Sequence, residues 1–154
     1  MKNKKIFLLI ILMVTAVTAY TQQYNAEKDF LTKIVDNGKG VEITTYIGRK
    51  SEVRIPEYIQ NLPVTSIGDW AFVNLSLTSL TSITISNTVK SIENMAFCEC
   101  RDLTTINVDS GNRNYSSEQG VLYNKDKTLL NTYPAGKTST TFTIPNIRKT
   151  ARFT

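Results

Sequence analysis

The chain has 154 residues and a formal net charge of +5 at pH 7, from 18 basic and 13 acidic side chains. It contains no histidine, which excludes Ser-His-Asp and Cys-His catalytic arrangements. Three lysines within the first five residues account for most of the excess charge, so the rest of the chain carries only +2. That near-neutral balance, with scattered lysine and arginine, gives little basis for nucleic-acid binding.

The first 19 residues have the organisation of a secretory signal peptide. Three lysines precede an apolar run over residues 6–14, and residues 16–19 supply a cleavage site after Ala19. A membrane anchor is the alternative interpretation, but it needs about 18 consecutive apolar residues. We therefore expect a secreted or cell-surface protein with no stable membrane insertion after cleavage.

Residues 20–50 are expected to form an N-terminal β-hairpin cap. Alternating apolar and polar residues predict strands over 30–35 and 41–46, joined by a turn over 36–40 that contains asparagine and glycine. A third short strand ends at Pro56, which cannot donate to a ladder. This section lacks the repeat period that follows it, and the end of a solenoid needs a shield against solvent.

A repeat with a period of 23 to 25 residues occupies residues 51–108. Apolar positions in 64–72 recur 25 positions later in 89–97, and those in 80–85 recur 23 positions later in 103–108. Such a period is typical of a solenoid, in which each unit buries its apolar face by stacking on its neighbours. Each unit is predicted to contain a short strand, a polar turn, a second extended stretch and about one helical turn.

Asp69 and Asn94 each precede one of the predicted helical turns. Their short polar side chains can accept hydrogen bonds from the free N–H groups that open such a turn. Trp70 and Met95 follow them at equivalent positions, where we expect partially exposed packing. Residues 58–63 add about five residues to the first unit, and an insertion of this kind is expected to form a loop on one face.

Two further segments follow the repeats. Residues 109–141 begin with a loop rich in Asn, Ser and Gly, and extended runs over 120–124 and 128–133 then predict a β-hairpin. The apolar pattern resumes at Phe142 and fails after Pro145. We therefore expect an incomplete repeat over 142–154, as in a truncated or diverged end.

The two cysteines are unsuited to a disulfide or a metal site. Cys98 and Cys100 are too close for an unstrained disulfide. Cys100 falls on the apolar pattern and is expected to be a buried thiol, whereas Cys98 falls off it. A C-x-C metal site lacks a third cysteine or a histidine as partner. Residues 109–114 superficially resemble a calcium loop, but their spacing departs from the EF-hand pattern. We expect no metal and no cofactor.

The repeat unit resembles the BspA-like class of bacterial leucine-rich repeats. The matching residues are Leu80, Ile83, Ile85, Ser86, Val89, Ile92, Glu93, Ala96, Phe97 and Cys100. The resemblance implies a leucine-rich-repeat solenoid, a short horseshoe-type array, in a secreted or cell-surface protein of host-associated bacteria. It also implies adhesion or binding to host matrix proteins, and it brings no catalytic residues.

Polar side chains between the apolar strand positions form the candidate binding face. Alternate residues of a strand point to opposite sides of a sheet, so these polar residues are expected to lie side by side on the exposed side. They are Glu52, Arg54, Thr81, Ser82, Thr84, Thr104, Thr105 and Asn107. A face that only keeps the sheet soluble is the alternative, because threonine favours strands in any case.

These features predict an exported binding module that is not an enzyme and that acts in protein–protein interaction or adhesion at the bacterial surface. The expected partner is a protein, such as a host matrix or surface protein, or a glycan, and not a nucleic acid. One alternative is a truncated remnant of a longer repeat array with a purely structural role.

A secreted hydrolase is a more distant alternative. Ser-Lys or paired-carboxylate chemistry needs converging groups. Asp69, Asp109, Glu118 and Asp126 all fall in predicted turns or caps, where an acidic side chain is expected to bond the local backbone.

Overall fold

The computed structural model describes residues 24–73 and 79–138 of the chain. The predicted signal peptide and the predicted incomplete repeat lie outside these residues. Within the described residues, the helical segments are two short 3-10 turns, Glu27–Asp29 and Asp36–Gly38. In that same part of the chain, no helix has the length and apolar character needed to cross a membrane.

Eleven short strands build the described part of the chain and enclose an apolar core. In chain order they are β1 (Phe30–Val35), β2 (Gly40–Tyr46), β3 (Glu52–Arg54), β4 (Tyr58–Ile59), β5 (Leu62–Ile67), β6 (Ser82–Ile85), β7 (Ser91–Ile92), β8 (Thr105–Val108), β9 (Tyr115–Glu118), β10 (Val121–Asn124) and β11 (Leu130–Thr132).

Strands β3, β6 and β8 form a parallel sheet, which we name the front sheet. The register places Val53, Ile83 and Ile106 at one level, and all three side chains are buried. We call one turn of the solenoid a coil. Adjacent strands of a sheet are about 4.8 Å apart, so each of these side chains packs directly against its equivalent in the next coil. The predicted recurrence of the apolar residues is therefore a physical stack.

Strands β2, β5 and β7 form a second parallel arrangement, which we name the back sheet. Ile43 pairs with Ile67 and Ile67 pairs with Ile92, and β1 adds to the free edge of β2 in antiparallel orientation. Side chains from the back sheet and the front sheet belong to one buried cluster. One front strand and one back strand per coil, wound around a shared core, confirm the predicted leucine-rich-repeat solenoid.

The predicted helical turns are realised as separate hydrogen-bonded turns that continue into no helix. Trp70 has a left-handed φ of 61°, and its N–H donates to the carbonyl of Met95 in the next coil at 3.1 Å. A left-handed residue ends helical geometry, and bonds between coils then replace bonds within a helix. Asp69 also bonds to the next coil. Its carboxylate accepts from Met95 N at 3.0 Å, and this contact replaces the predicted cap on its own turn. Trp70 and Met95 are partly exposed, as predicted.

A column of four aromatic rings runs along the stack of coils. The ring centroids of Phe30 and Tyr46 are 5.3 Å apart, those of Tyr46 and Phe72 are 5.7 Å apart, and those of Phe72 and Phe97 are 5.6 Å apart. These separations lie within the range that favours aromatic pairs. The column ties the β1–β2 hairpin to the first two full coils.

The N-terminal end of the front sheet is covered by a buried asparagine. Asn25 N donates to Arg54 O at 3.0 Å, and Arg54 N donates to the Asn25 side-chain oxygen at 2.9 Å. The Asn25 amide nitrogen also donates to the Tyr46 hydroxyl at 3.3 Å. These bonds satisfy backbone groups of β3 that have no strand beside them. The boundaries of the predicted cap over 20–50 stay a prediction.

The far end of the array is covered by a three-stranded antiparallel sheet. Strands β10 and β11 form the predicted hairpin, and β9 adds a third strand over residues for which no strand is predicted. Ile106 N, on the edge strand β8, donates to Gly120 O at 2.9 Å, and Ile92 N of β7 donates to the Tyr115 hydroxyl at 3.0 Å. The edges of both parallel sheets therefore meet this unit.

The insertion over residues 58–63 differs from its prediction. It forms a tight hairpin in which β4 pairs antiparallel with the start of β5, rather than an open loop. Gln60 and Asn61 occupy the turn with left-handed φ values of 52° and 62°. Two successive left-handed residues produce a turn whose twist matches that of paired strands.

Both cysteines are free thiols, and Cys100 is buried as predicted. Its Sγ lies 3.4 Å from the carbonyl oxygen of Phe72 and donates to it. Burial raises the pKa of the Cys100 thiol to about 11. Since the thiolate is the reactive form, Cys100 is an inert packing residue at neutral pH.

Replacing Phe72 by alanine should lower the free energy of unfolding by about 3–5 kcal/mol, because the substitution opens a cavity within the aromatic column. Urea unfolding followed by circular dichroism measures this change. The matched control is Leu129→Ala, at a side chain that is 61% exposed, and it should shift stability by less than about 0.5 kcal/mol. Equal effects of the two substitutions would contradict the stacking role of the column.

Candidate functional site

The front sheet presents two rows of polar side chains on its outer side. Parallel pairing places Glu52, Ser82 and Thr105 side by side in a first row. A second row lies two residues further along each strand. That second row is Arg54, Thr84 and Asn107. The structure therefore brings six of the eight predicted site residues together in two rows. We name these six residues the front face.

Thr81 and Thr104 lie one position before their strands and support the backbone. The Thr81 hydroxyl donates to Ser51 O at 3.2 Å, and the Thr104 hydroxyl donates to Thr81 O at 3.1 Å. The backbone N–H groups of both threonines donate to the same carbonyls. Each hydroxyl therefore joins its coil to the preceding one, and its donor is already engaged.

Arg54 forms long-range contacts at one end of its row. Its guanidinium donates to the Asp109 carboxylate at 2.5 Å, and both side chains are 18% exposed. Since β6 lies between β3 and β8, this ion pair spans the front sheet. The same guanidinium lies over the ring of Tyr24, 5.1 Å from its centroid. Arg54 is thus held in place and orders one end of the front face.

Tyr24 connects this ion pair to a second carboxylate. Its hydroxyl donates to Glu57 at 2.8 Å. Partial burial raises the pKa of Tyr24, and the hydrogen bond to Glu57 raises it further. Because the hydroxyl keeps its proton at neutral pH, Tyr24 acts there as a hydrogen-bond donor and a stacking surface.

Four residues of the front face offer their side chains to a partner. Ser82, Thr84, Thr105 and Asn107 form no side-chain hydrogen bond with residues 24–73 or 79–138. Ser82, Thr84 and Thr105 are half-buried between their neighbours, and Asn107 is exposed. Hydroxyls and amides can both donate and accept, so this surface can form hydrogen bonds with many kinds of polar partner.

Asp109 and Glu118 do not have the local backbone role that their positions predict. Asp109 pairs with Arg54, which is 55 positions away, and Glu118 pairs with Lys127 at 2.6 Å. Among the described residues, no group of three or more Cys, Asp or Glu side chains is arranged to hold a metal ion. The visible role of these two carboxylates is to pair with cations.

Asn112 closes the last coil, a role that was not predicted from the sequence. Its side-chain nitrogen donates to Ser86 O at 2.8 Å and to Val89 O at 3.0 Å. Its side-chain oxygen accepts from Asn114 N and Tyr115 N, both at 2.8 Å. A usable signal was present, because Asn112 follows Val89 by 23 positions and so places a polar residue at an apolar position of the repeat.

Comparison with known proteins identifies the family. The chain matches the BspA type leucine rich repeat region over residues 49–133, in six copies. This match covers more than half of the chain, and the chain therefore belongs to the BspA type leucine-rich-repeat family. No curated protein matches the chain.

Two solved structures are similar to the chain. The T. pallidum leucine rich repeat protein is 25% identical with a TM-score of 0.51, over 59% of this chain and 42% of that protein. A leucine rich cell surface protein from Faecalibacterium prausnitzii is 24% identical with a TM-score of 0.50, over 62% of this chain and 26% of that protein. The chain thus spans less than half the length of either protein. Repeat solenoids of this kind present extended binding surfaces, and the chain is a repeat interaction module.

The Arg54–Asp109 pair should contribute a coupling energy of about 1 kcal/mol to folding, because both groups are largely shielded from solvent. A double-mutant cycle with Arg54→Met and Asp109→Asn measures it by urea unfolding. The Glu99–Arg101 pair is the matched control, and its more exposed side chains should give a smaller coupling. A coupling for Arg54 and Asp109 no larger than that of the control pair would show that the pair does not order the front face.

Proposed function

We propose that the chain is an exported binding module that contacts a protein through the front face and acts in adhesion at the bacterial surface. The observation that carries this proposal is the pair of in-register polar rows, four of whose side chains have no hydrogen bond within the described protein. Solubility requires polar groups on the sheet but no particular spacing between them. Hydroxyls and amides at equal spacing can in addition bond to a partner whose own hydrogen-bonding groups are evenly spaced.

The size of the front face sets the expected strength of binding. Three strands about 4.8 Å apart, with about four residues each at 3.3 Å, cover roughly 200 Å². A stable protein interface buries about 800 Å² on each partner. We therefore expect weak binding by a single chain, with the neighbouring β9–β11 unit or several copies of the chain adding contact area.

The location at the surface draws on two observations. The first 19 residues have the pattern of a secretory signal. The similar protein from Faecalibacterium prausnitzii is described as a leucine rich cell surface protein. A protein of the host matrix or host surface is the partner class that such a location makes available.

The double variant Thr84→Arg and Asn107→Arg should weaken binding to purified extracellular-matrix proteins by about tenfold or more, because it places two unpaired charges within the contact. The measurement is biolayer interferometry with the chain presented as a tandem dimer, so that weak contacts register. The matched control is Ser91→Arg with Asn94→Arg, since both residues are exposed in another part of the coil.

Two outcomes would contradict the proposed function. The first is the absence of binding to every matrix protein in the panel, which would favour the purely structural role. The second is an equal loss in the front-face variant and in the control, which would assign the binding to charge in general rather than to the front face.

Export should depend on the apolar run of the first 19 residues. In a bacterial host, we expect the exported chain to begin at Tyr20, as measured by intact-mass spectrometry after fractionation. Leu9→Arg should retain the chain in the cytoplasm, because a charge interrupts the run that the secretion machinery recognises. Leu31→Arg makes the same change at an exposed residue of β1 and should leave export intact. Export of the Leu9→Arg chain at the control level would refute the signal.

A further inference from the structure

A basic cleft lies at the corner where the front strands turn towards the back sheet. Its volume is about 310 Å³. Lys90 and Arg113 line it together with the polar residues Asn87, Thr88 and Asn114, and none of the described residues that line it is acidic. A cleft of this volume is at the lower end of the range for small-molecule sites.

The two cations occupy equivalent positions of neighbouring coils. The offset of 23 residues that pairs Ile85 with Val108 also relates Lys90 to Arg113. Neither cation forms an ion pair or a side-chain hydrogen bond with the described residues. Like charges that line the same cleft repel each other. A bound anion would relieve this repulsion and would gain two charge-assisted contacts.

Two carboxylates share a second cleft with Lys90, and each has another partner. Asp36 and Glu42 line an adjoining cleft on the far side of Lys90. Asp36 accepts from the Thr65 hydroxyl at 3.1 Å, and Glu42 pairs with Lys33 at 2.8 Å. Among the described residues neither carboxylate forms an ion pair with Lys90, so its ammonium group is available to a ligand.

One wall of the basic cleft is held rigidly. It is the loop after β8, which Asn112 fixes with four hydrogen bonds while being 1% exposed. The Lys125 ammonium donates to Asn112 O from the neighbouring hairpin. A wall fixed in this way loses little conformational freedom when a ligand binds, so the cleft is preorganised.

We propose that this basic cleft binds one carboxylated or sulfated sugar unit of an anionic glycan. The anionic group contacts Lys90 and Arg113, and the sugar hydroxyls bond to the side-chain amides of Asn87 and Asn114. These amides form no hydrogen bond within the described residues, and each can donate and accept as a sugar hydroxyl requires. This site is separate from the front face, so it stands or falls independently of the proposed function.

The walls of the cleft favour a sugar over an acidic peptide. An extended peptide usually adds to a free strand edge and bonds through its backbone. The cleft is lined by the turn before β7 and the loop after β8, together with Pro63 and Thr65 of β5. Strand β5 is already paired with β2 and with β7, so among the described residues the cleft offers an extended peptide no free strand edge.

Isothermal titration calorimetry with three tetrasaccharides and one peptide tests the site. A heparin tetrasaccharide carries sulfates and carboxylates, a hyaluronan tetrasaccharide carries carboxylates alone, and chitotetraose is uncharged; tetraglutamate is the peptide. We expect the heparin tetrasaccharide to bind, and its binding to weaken as salt is added. The hyaluronan tetrasaccharide, titrated separately, binds only if a carboxylate is sufficient. The hyaluronan result decides whether a carboxylate suffices or a sulfate is required.

The variant Lys90→Ala with Arg113→Ala should weaken heparin binding by about tenfold or more, because both charge-assisted contacts are lost. The matched control is Lys28→Ala with Arg49→Ala, which removes the same two residue types from a larger cleft at the other end of the array. Thermal melting of both variants at the wild-type temperature establishes that they are folded.

Three results would overturn the proposal. Equal weakening in both variants would show that binding follows net charge alone. Chitotetraose binding as tightly as heparin would remove the role of the anion. Tetraglutamate binding as tightly as heparin would assign the cleft to acidic peptides.

Discussion

The stacking of coils in parallel register is the constraint on which the rest of the structure depends. Ile83 is covered by Val53 on one side and by Ile106 on the other, so a coil buries its apolar side chains only through its neighbours. Burial of one such side chain contributes about 1.5–3 kcal/mol. Because the register decides which buried residues share a level, it also decides which polar side chains stand beside each other on the outside.

A stack of this kind is exposed at both ends, and polar side chains close them. Asn25 bonds to the backbone of Arg54 at one end, and the Tyr115 hydroxyl accepts from the backbone of Ile92 at the other. An unpaired backbone group that loses water costs about 1–3 kcal/mol, so these single contacts matter as much as a buried apolar side chain. They use side chains where the interior of the array uses strands, since no further coil is paired there within the described residues.

The parts of the fold that could be predicted are those with local periodicity. The strand predicted over 30–35 coincides with β1, and the recurrence of apolar residues located both parallel sheets. Contacts between distant positions could not be predicted in this way. The ion pair that orders the front face joins residues 55 positions apart, and a repeat period carries no information on such a pair. Strand β9 was missed because its two central serines give little strand signal, and β10 supplies the pairing that makes it a strand.

The repeat turns each outward position into a column of side chains, and the chemistry of the column determines how far it can extend. On the front face the second row continues from Arg54 into Thr84 and Asn107, and neutral residues can be stacked about 4.8 Å apart without repulsion. At the corner, Lys90 and Arg113 are followed back along the stack by Thr65, and a third cation there would add a further repulsive pair. In a longer array, the affinity of a neutral face for its partner can therefore grow with the number of coils. Adding cations to a cleft raises its affinity only for an anionic ligand, because without the anion the added cations repel each other. The same repeat period produces both the front face and the basic cleft. The front face can be extended because its stacked residues are mostly neutral, whereas repulsion between stacked cations limits the size of the basic cleft.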